Sequence, residues 1–158
     1  MRSDPYRETV RHPGSCAVVA ITPSGDVLLV RQMREAVGET LLEIPAGIMD
    51  VEGEGAAACA ARELIEETGH RAIGLEPLGR SLSSPGFTDE VVELFLARAT
   101  PEPEAAPEEG IGTVRMTLSD AVAAVRDGRI ADAKTALGLL LAEHAVGVRW
   151  PATEGGAG

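Results

Sequence analysis

Residues 47–70 read GIMDVEGEGAAACAARELIEETGH, and this stretch decides the fold. It begins as a loop rich in glycine and acidic residues. From residue 55 onwards the residues are strong helix formers, and apolar side chains recur near the 3.6-residue period of a helix. Gly69 then offers the left-handed conformation with which many helices end. The stretch therefore predicts a loop followed by a helix over residues 55–68 that ends at Gly69.

Three glutamates crowd the second half of this helix. Glu63 and Glu67 are four residues apart, and Glu63 and Glu66 are three apart, so their side chains adjoin on the helix surface. Like charges at these spacings repel each other. Mg²⁺, which prefers carboxylate oxygens, would neutralise the cluster and keep waters that phosphate oxygens can displace. Glutamate-rich helices are more often simply solvated, so the helix alone leaves both interpretations open.

The patterns on both sides of the helix predict a layered α/β domain. Residues 15–31 hold two apolar runs around Pro-Ser-Gly-Asp, which predicts a β-hairpin, and the Pro- and Glu-rich residues 101–110 predict a loop. The other predicted elements are strands at 40–45, 72–82, 90–98 and 112–117, a helix from Thr117 or Ser119 to about Arg126, and a helix at 132–146. This order of elements is typical of a mixed α/β domain. We place the domain at 15–147, between an N-terminal arm at 1–14 and a mobile tail at 148–158.

Composition narrows the classes of function. The 158 residues fit one domain, and 44% are hydrophobic, which argues against disorder. A formal net charge of −11 disfavours binding to nucleic acids or anionic membranes, so a phosphate-bearing substrate would need a metal ion to attract it. Cys16 and Cys59 are too few for a disulfide framework or a zinc quartet, and His12, His70 and His144 lack ligand spacing. We find no signal-peptide core or apolar run of about 18 residues, and therefore expect a cytoplasmic protein.

The stretch at 47–70 closely resembles the Nudix box. The matching residues are Gly47, Glu54, Arg62, Glu63, Leu64, Glu66, Glu67 and Gly69. The sequence departs from the family pattern at two points: six residues rather than five separate Gly47 from Glu54, and His70 stands where an aliphatic residue is usual. The resemblance implies a Nudix-type α/β/α sandwich with a mixed central sheet and a loop-helix-loop metal site.

By this resemblance the box binds a divalent cation, Mg²⁺ with Mn²⁺ as the alternative. The implied ligands are Glu63, Glu66, Glu67 and the backbone carbonyl of Ala46. Glu66 could instead support the ligands or take part in catalysis. Gly47 and an ion pair between Arg62 and Glu54 are implied to support the site, because metal ligands need partners that orient them. The other interpretation of that pair is a surface ion pair worth about 0–1 kcal/mol.

Motifs outside the box resemble those of the ADP-ribose pyrophosphatase branch of the family. They are VRQMR at 30–34, LEIPAG at 42–47 and SPGFTDE at 84–90, with Pro85 sixteen residues after Gly69. The implied substrate-binding residues are Arg34, Ser84, Pro85, Gly86 and Glu90. Arg34 could hold a phosphate through two hydrogen bonds, or it could be a solvated arginine at a strand end. The implied reaction is cleavage of ADP-ribose to AMP and ribose 5-phosphate by a homodimer.

The general base is implied to lie on the acidic loop at 101–110. Glu108 and Glu109 are the candidates, and Glu109 matches better by its distance from the strand at 113–116. Either glutamate could equally be a solvated loop residue, and Glu90 is another candidate contact for metal or water. Two alternative functions stay open. One is hydrolysis of other nucleoside diphosphate sugars or of a broad range of them, and the other is a non-catalytic sensor of nucleotide sugars.

Overall fold

The computed structural model describes residues 8–149, which form seven strands and three helices. The strands are β1 (Ser15–Ile21), β2 (Asp26–Arg34), β3 (Glu39–Glu43), β4 (Ala46–Ile48), β5 (Ala72–Leu82), β6 (Val91–Ala99) and β7 (Gly112–Thr117), and the helices are α1 (Ala56–Thr68), α2 (Leu118–Arg126) and α3 (Ala133–Arg149). All the predicted helices and strands are present. None of the helices within the described range is long and apolar enough to cross a membrane.

The central sheet is mixed, with β1 at its centre. Its main path runs β3-β2-β1-β6-β5, while β4 pairs with β1 and β7 pairs with β2. β1 lies parallel to β6 and antiparallel to β4. The hairpin predicted at 15–31 is present as a turn, but only Ile21 and Val27 pair across it. The two strands then separate, because β1 takes β4 and β6 as partners while β2 takes β3 and β7.

Helices cover both faces of the sheet. All seven residues of β1 are buried, and alternate residues enter two different cores. Ala17, Val19 and Ile21 join a cluster with residues of α2 and α3, whereas Cys16 and Val18 join a cluster with α1. Because successive side chains of a strand point to opposite faces, this division places α1 on one face and α2 with α3 on the other. The fold is therefore the expected α/β/α sandwich.

The prediction was wrong at one element and is untested at the chain ends. The loop predicted at 47–55 begins too early, because Ala46–Ile48 pairs with β1 as a short strand. Three residues that include a glycine carry no strand pattern of their own, so this pairing comes from tertiary contact. α3 continues to Arg149, two residues into the predicted tail, and residues 1–7 and 150–158 lie outside the described range.

Candidate active site

The box helix, α1, presents its carboxylates to β4. The helix ends at Gly69, whose φ of 74° is left-handed and whose N–H donates to the carbonyl of Ile65. Leu64 faces the core, with Cys59 and Ala60 on the same side. Glu63 and Glu67 then lie at the edge of the buried face, beside the start of β4. The helical spacing that the sequence showed thus places two carboxylates against one short strand.

Gly47 makes room for Glu63. A methyl group at this position would lie 2.0 Å from Cδ and Oε1 of the Glu63 side chain. Only a residue without a side chain therefore allows this carboxylate to approach the backbone of β4. Burial raises the pKa of Glu63, and the contact with Arg62 opposes that shift.

Glu67 is the most buried carboxylate of the box. It is 4% exposed, and its Oε2 accepts a hydrogen bond of 3.1 Å from the N–H of Ala46. Burial raises the pKa of Glu67 to about 7, although the hydrogen bond from Ala46 lowers it. With a pKa of about 7, this carboxyl group is only partly ionised at neutral pH, and a cation beside it would stabilise its charged form. The carboxylates of Glu63 and Glu67 and the backbone of Ala46 are thus neighbours.

Arg62 organises the cluster through all five of its N–H groups. Two donate to the two oxygens of Glu54, at 3.0 and 2.9 Å. Nη1 donates to Glu63 at 2.7 Å and to Glu66 at 2.9 Å, and Nη2 also contacts Sγ of Cys59 at 3.6 Å. The predicted ion pair with Glu54 is therefore present. It joins the loop before α1 to the helix and restricts the orientation of two neighbouring carboxylates.

The donor set of this cluster fits a divalent cation. Glu63, Glu66 and Glu67 offer hard carboxylate oxygens, which Mg²⁺ and Mn²⁺ prefer. Within residues 8–149 no three acidic, histidine or cysteine side chains already converge as a complete ligand set. Glu63 and Glu66 each turn one oxygen towards Arg62 and keep the other. Completing a site would require these side chains to turn towards one another, beside the backbone of β4 where Gly47 admits the Glu63 carboxylate.

A cleft of about 540 Å³ opens next to the cluster. It is lined by Arg34, Ala46, Gly47, Glu90, Asp132 and Lys134, among others. A cleft of this volume is within the range that encloses a small organic ligand. The cleft therefore joins the backbone of β4, at the carboxylate cluster, to side chains from β2, α3 and the loop before β6.

Arg34 does not stand free at its strand end. Its Nε and Nη2 donate to the two oxygens of Glu43, each at 2.7 Å. Lys134 also donates to Glu43, and to Asp132 at 3.0 Å. Burial alone would raise the pKa of Glu43, but the hydrogen bonds from Arg34 and Lys134 hold it below its ordinary value. The guanidinium is thus fixed in the cleft by a buried carboxylate.

Glu90 lines the same cleft, from the loop before β6. Its Oε1 accepts a hydrogen bond of 2.5 Å from Ser15 and lies 3.8 Å from Nε2 of His12. Burial opposes ionisation, but hydrogen bonds from Ser15 and Ser83 and the nearby His12 keep the pKa of Glu90 lowered. This carboxylate can therefore accept hydrogen bonds from hydroxyl groups in the cleft, as it already does from Ser15.

The other predicted substrate residues lie at the rim. Residues 84–86 form a turn closed by hydrogen bonds of 3.1 Å from Phe87 and Thr88 to the carbonyl of Ser84, and they do not line the cleft. The arm at 8–14 packs on this turn, since Val10 pairs with Thr88 and donates to Phe87. The structure therefore brings Arg34 and Glu90 together and leaves Ser84, Pro85 and Gly86 outside.

The loop that carries the candidate bases is attached to the end of α1. The N–H of Glu108 donates to the carbonyl of Glu66 at 2.7 Å, and the N–H groups of Glu104 and Ala105 donate to the carbonyl of Gly69. Glu66 and Glu108 line a small second cavity with Ala106. Of the two candidate bases, Glu108 is therefore the one whose backbone is bonded to a box glutamate, Glu66.

Several residues of the cleft escaped the sequence interpretation. His12, Asp132 and Lys134 line the cleft, and Glu43 accepts hydrogen bonds from Arg34 and Lys134. These residues come from three separate segments, and only the fold brings them together. One signal was available, since Lys134 is the only lysine in the chain. His70, by contrast, is a buried residue away from the cleft: it is 1% exposed and contacts the carbonyl of Thr100.

The fold and the site define a class of protein: an α/β/α enzyme in which a carboxylate cluster suited to a divalent cation borders a cleft with fixed cationic donors. Comparison with known families makes this specific. The NUDIX domain pattern matches residues 10–137, and the chain belongs to this family. It is a hydrolase of diphosphate bonds, and hydrolases of the family generally use divalent metal ions.

Three relatives bear on the substrate. The ADP-ribose pyrophosphatase of Bacillus subtilis is 40% identical over 134 residues, which cover 82% of this chain and 72% of that protein. The methanol dehydrogenase activator of Bacillus methanolicus is 38% identical, covering 83% and 72%. A GDP-mannose pyrophosphatase of Yersinia enterocolitica is 30% identical, covering 84% and 74%. The two pyrophosphatases among these relatives indicate a nucleotide-sugar substrate.

A solved structure supports the fold. The crystal structure of an ADP compounds hydrolase superposes with a TM-score of 0.76, covering 87% of this chain and 75% of that one at 23% identity. At this identity the match concerns the architecture alone.

Proposed function

We propose that this chain is a metal-dependent pyrophosphohydrolase that cleaves ADP-ribose to AMP and ribose 5-phosphate. The observation that carries the proposal is the shared cleft. Ala46 and Gly47, next to the box carboxylates, and Arg34 open onto the same space of about 540 Å³. A diphosphate between two sugars needs such an arrangement, with a metal at one side and fixed donors at the other.

The box residues would hold the metal. Glu63, Glu67 and the carbonyl of Ala46 are the proposed ligands, with Glu66 as a further ligand or a support. Bound there, Mg²⁺ or Mn²⁺ would neutralise the diphosphate and lower the pKa of an attacking water. Arg62 orients Glu63 and Glu66 through Nη1, and the oxygen of each carboxylate that does not contact Arg62 would be available to the cation.

The cleft residues would bind a phosphate and the sugar hydroxyl groups of the substrate. Arg34 keeps N–H groups beyond the two that bind Glu43, and these can donate to a phosphate oxygen. Glu90, which already accepts a hydrogen bond from Ser15, can accept one from a sugar hydroxyl. Ser84, Pro85 and Gly86 would act from the rim through their backbone turn. A substrate in which a phosphate is joined to a sugar could therefore place its phosphate at Arg34 and a sugar hydroxyl at Glu90.

For the general base we favour Glu108 over Glu109. The hydrogen bond from the Glu108 backbone to Glu66 ties this loop position to the box helix. Its carboxylate can then reach a water near the metal after a modest loop movement, and proton removal needs that proximity before it needs a tuned pKa. Activity lost in Glu109→Gln but kept in Glu108→Gln would reverse the choice.

Two other functions remain as measurable alternatives. The GDP-mannose pyrophosphatase relative favours another nucleoside diphosphate sugar, because the box contacts the diphosphate and not the base. The activator relative favours a protein that acts on a partner. Against a purely regulatory role, Glu63, Glu66 and Glu67 are all retained.

The test is a product assay on the purified full chain. With Mg²⁺ and ADP-ribose, we expect AMP and ribose 5-phosphate, with at least a hundredfold loss in Glu63→Gln and in Glu67→Gln, because each removes a charged ligand. Glu143→Gln is the matched control, since it removes the same charge from α3, on the opposite face. Cleavage of GDP- or UDP-sugars alone would keep the diphosphate hydrolase activity and replace ADP-ribose as the proposed substrate. If no diphosphate is cleaved, the proposal is refuted.

Two further proposed properties are not drawn from the geometry of the site. We propose a homodimer in the cytoplasm, and sedimentation of the purified chain tests the first part. A monomer at micromolar concentration that is fully active would exclude a requirement for the dimer.

A further inference from the structure

Lys134 holds an unusual place in the chain. The 14 basic residues comprise 13 arginines and this one lysine. It lies in the first turn of α3, lines the cleft, and its side chain is 16% exposed. The proposed function so far gives it no role.

The ammonium group keeps a donor for a ligand. Nζ contacts Glu43 and, at 3.0 Å, Oδ2 of Asp132. An ammonium has three N–H groups, and within the described residues only these two side chains accept from it. One donor is therefore left in a side chain that faces the cleft.

Lys134 and Arg34 are held together by one oxygen atom. Nη2 of Arg34 and Nζ of Lys134 both donate to Oε2 of Glu43, so the two cationic nitrogens are neighbours. Asp132 is itself held by Thr135, whose N–H and Oγ1 contact its Oδ2 at 3.0 and 2.6 Å. Thr135 in turn accepts from the N–H of Ile44 at 2.9 Å. This network fixes the start of α3 against the end of β3.

We propose that Lys134 and Arg34 form a clamp for one phosphate of the diphosphate, while the metal at β4 holds the other. This inference rests on the proposed function and deepens it. Two carboxylates already offset the two cations, so the clamp acts through fixed donors rather than through net positive charge. The substrate class is a diphosphate linked on both sides to sugars, because such a group spans the cleft from the box to α3.

The chemistry of lysine suits this position. A guanidinium is planar and would direct its donors in one plane, whereas an ammonium directs three donors tetrahedrally. Lys134 can therefore bind Glu43, Asp132 and a phosphate oxygen at once. We expect Lys134→Arg to keep only part of the affinity.

The test measures binding of the non-hydrolysable α,β-methylene analogue of ADP-ribose to the full chain by calorimetry, with Mg²⁺ and again in EDTA. Lys134→Met should weaken binding about tenfold in both conditions, because a hydrogen bond from a charged donor is lost without involving the metal. Arg129→Gln is the control: it removes an exposed cation that pairs with Asp127 outside the cleft, and should change affinity less than twofold.

Selective labelling gives a second measurement on the unmodified protein. Lys134 is the one side-chain amine that an amine-reactive acetylating reagent can modify, and peptide mass spectrometry separates its product from that of the N-terminal amine. We expect the analogue to protect Lys134 and not the terminus. This measurement decides the case if Lys134→Met fails to fold.

The outcomes separate the clamp from the proposed function. Unchanged affinity in a folded Lys134→Met, unprotected labelling, or no binding of the analogue to the unmodified chain would overturn the clamp. Weaker binding in that variant, in a protein that hydrolyses no diphosphate, would keep the clamp and refute the proposed function.

Discussion

At the scale of single residues, Gly47 offers the sharpest test of the metal site. Its φ is not left-handed, so alanine is conformationally acceptable, but the new methyl would lie 2.0 Å from the Glu63 carboxylate. The flexible Glu63 side chain would move away. We expect Gly47→Ala to reduce Mg²⁺ affinity and kcat at least tenfold, while the free energy of unfolding in EDTA changes by about 1 kcal/mol or less.

Gly55 provides the matched control for this substitution. It lies at the start of α1 with nothing within 4 Å of an added methyl. Gly55→Ala should leave both metal affinity and turnover within twofold. Titration of the two variants with Mn²⁺, followed by electron paramagnetic resonance, gives the affinities. Equal affinities in both variants would show that metal binding does not need the close approach of Glu63 to Gly47.

The ionised carboxylate of Glu43 should contribute to the stability of the protein in a pH-dependent way. It is 1% exposed and shared by Arg34 and Lys134, so Glu43→Gln should destabilise the protein by about 3 kcal/mol at pH 7. Its pKa is lowered in the folded state, so its contribution is complete above the unfolded value of about 4.3 and disappears as the pH falls through the folded value.

The difference in free energy of unfolding between the original chain and Glu43→Gln should therefore become smaller below about pH 4.3. Urea unfolding at several pH values measures this difference. Glu104→Gln is the control. Glu104 makes the same type of paired contact with Arg71, but at the surface, where it is worth about 0–1 kcal/mol. A difference that stayed constant or grew on acidification would contradict the argument.

At the scale of elements, the end of α1 and the loop at 101–110 depend on Gly69. Its φ is 74°, and an added methyl would lie 2.0 Å from the carbonyl oxygen of Ala105. Gly128 has a similar φ of 84° with open space around it. Both alanine variants carry a left-handed strain of about 1–2 kcal/mol, but only Gly69→Ala must also displace the loop.

We therefore expect Gly128→Ala to lose stability alone and Gly69→Ala to lose kcat as well, by about tenfold or more. The reason is that the loop places Glu108 beside Glu66. Urea unfolding and steady-state kinetics on the two variants separate strain from displacement. Equal kcat in both would mean that the position of the loop does not affect catalysis.

The same scale shows what local sequence can predict. α1 and its end at Gly69 were predictable from one short stretch. This stretch contains strong helix formers, apolar side chains at the helical period and a glycine at the end. β4 was not, since its three residues become a strand only by pairing with β1. Lys134 was equally hidden, because its acceptors Glu43 and Asp132 are recognisable only once α3 packs against β3.

At the scale of the whole molecule, the sheet order follows from pairings between distant segments. Every residue of β1 is buried, which already indicates a strand covered on both faces. Its parallel partner, β6, begins 76 residues after the start of β1, at Val91. No local pattern in either strand specifies that pairing. The mixed sheet was therefore predictable through the family resemblance and not through the periodicity of the strands.

The net charge of −11 means that added cations can stabilise the protein in two ways, which the last prediction separates. Any salt screens repulsion in an acidic chain, whereas a bound ion stabilises only the folded state. At a free Mg²⁺ concentration of 100 times its dissociation constant, the free energy of unfolding should rise by about 2.7 kcal/mol. NaCl at equal ionic strength should produce only the smaller screening effect, and subtracting it isolates the bound ion.

Glu63→Gln should lose this Mg²⁺-specific gain, yet be at least as stable as the original chain in EDTA. The reason is that the substitution removes repulsion between Glu63 and its neighbours Glu66 and Glu67. Glu143→Gln, which removes a charge from the opposite face, should keep the gain. Equal effects of MgCl₂ and NaCl on the original chain would show that its response to Mg²⁺ is screening, and the carboxylates of α1 would then have no specific ion to explain their crowding.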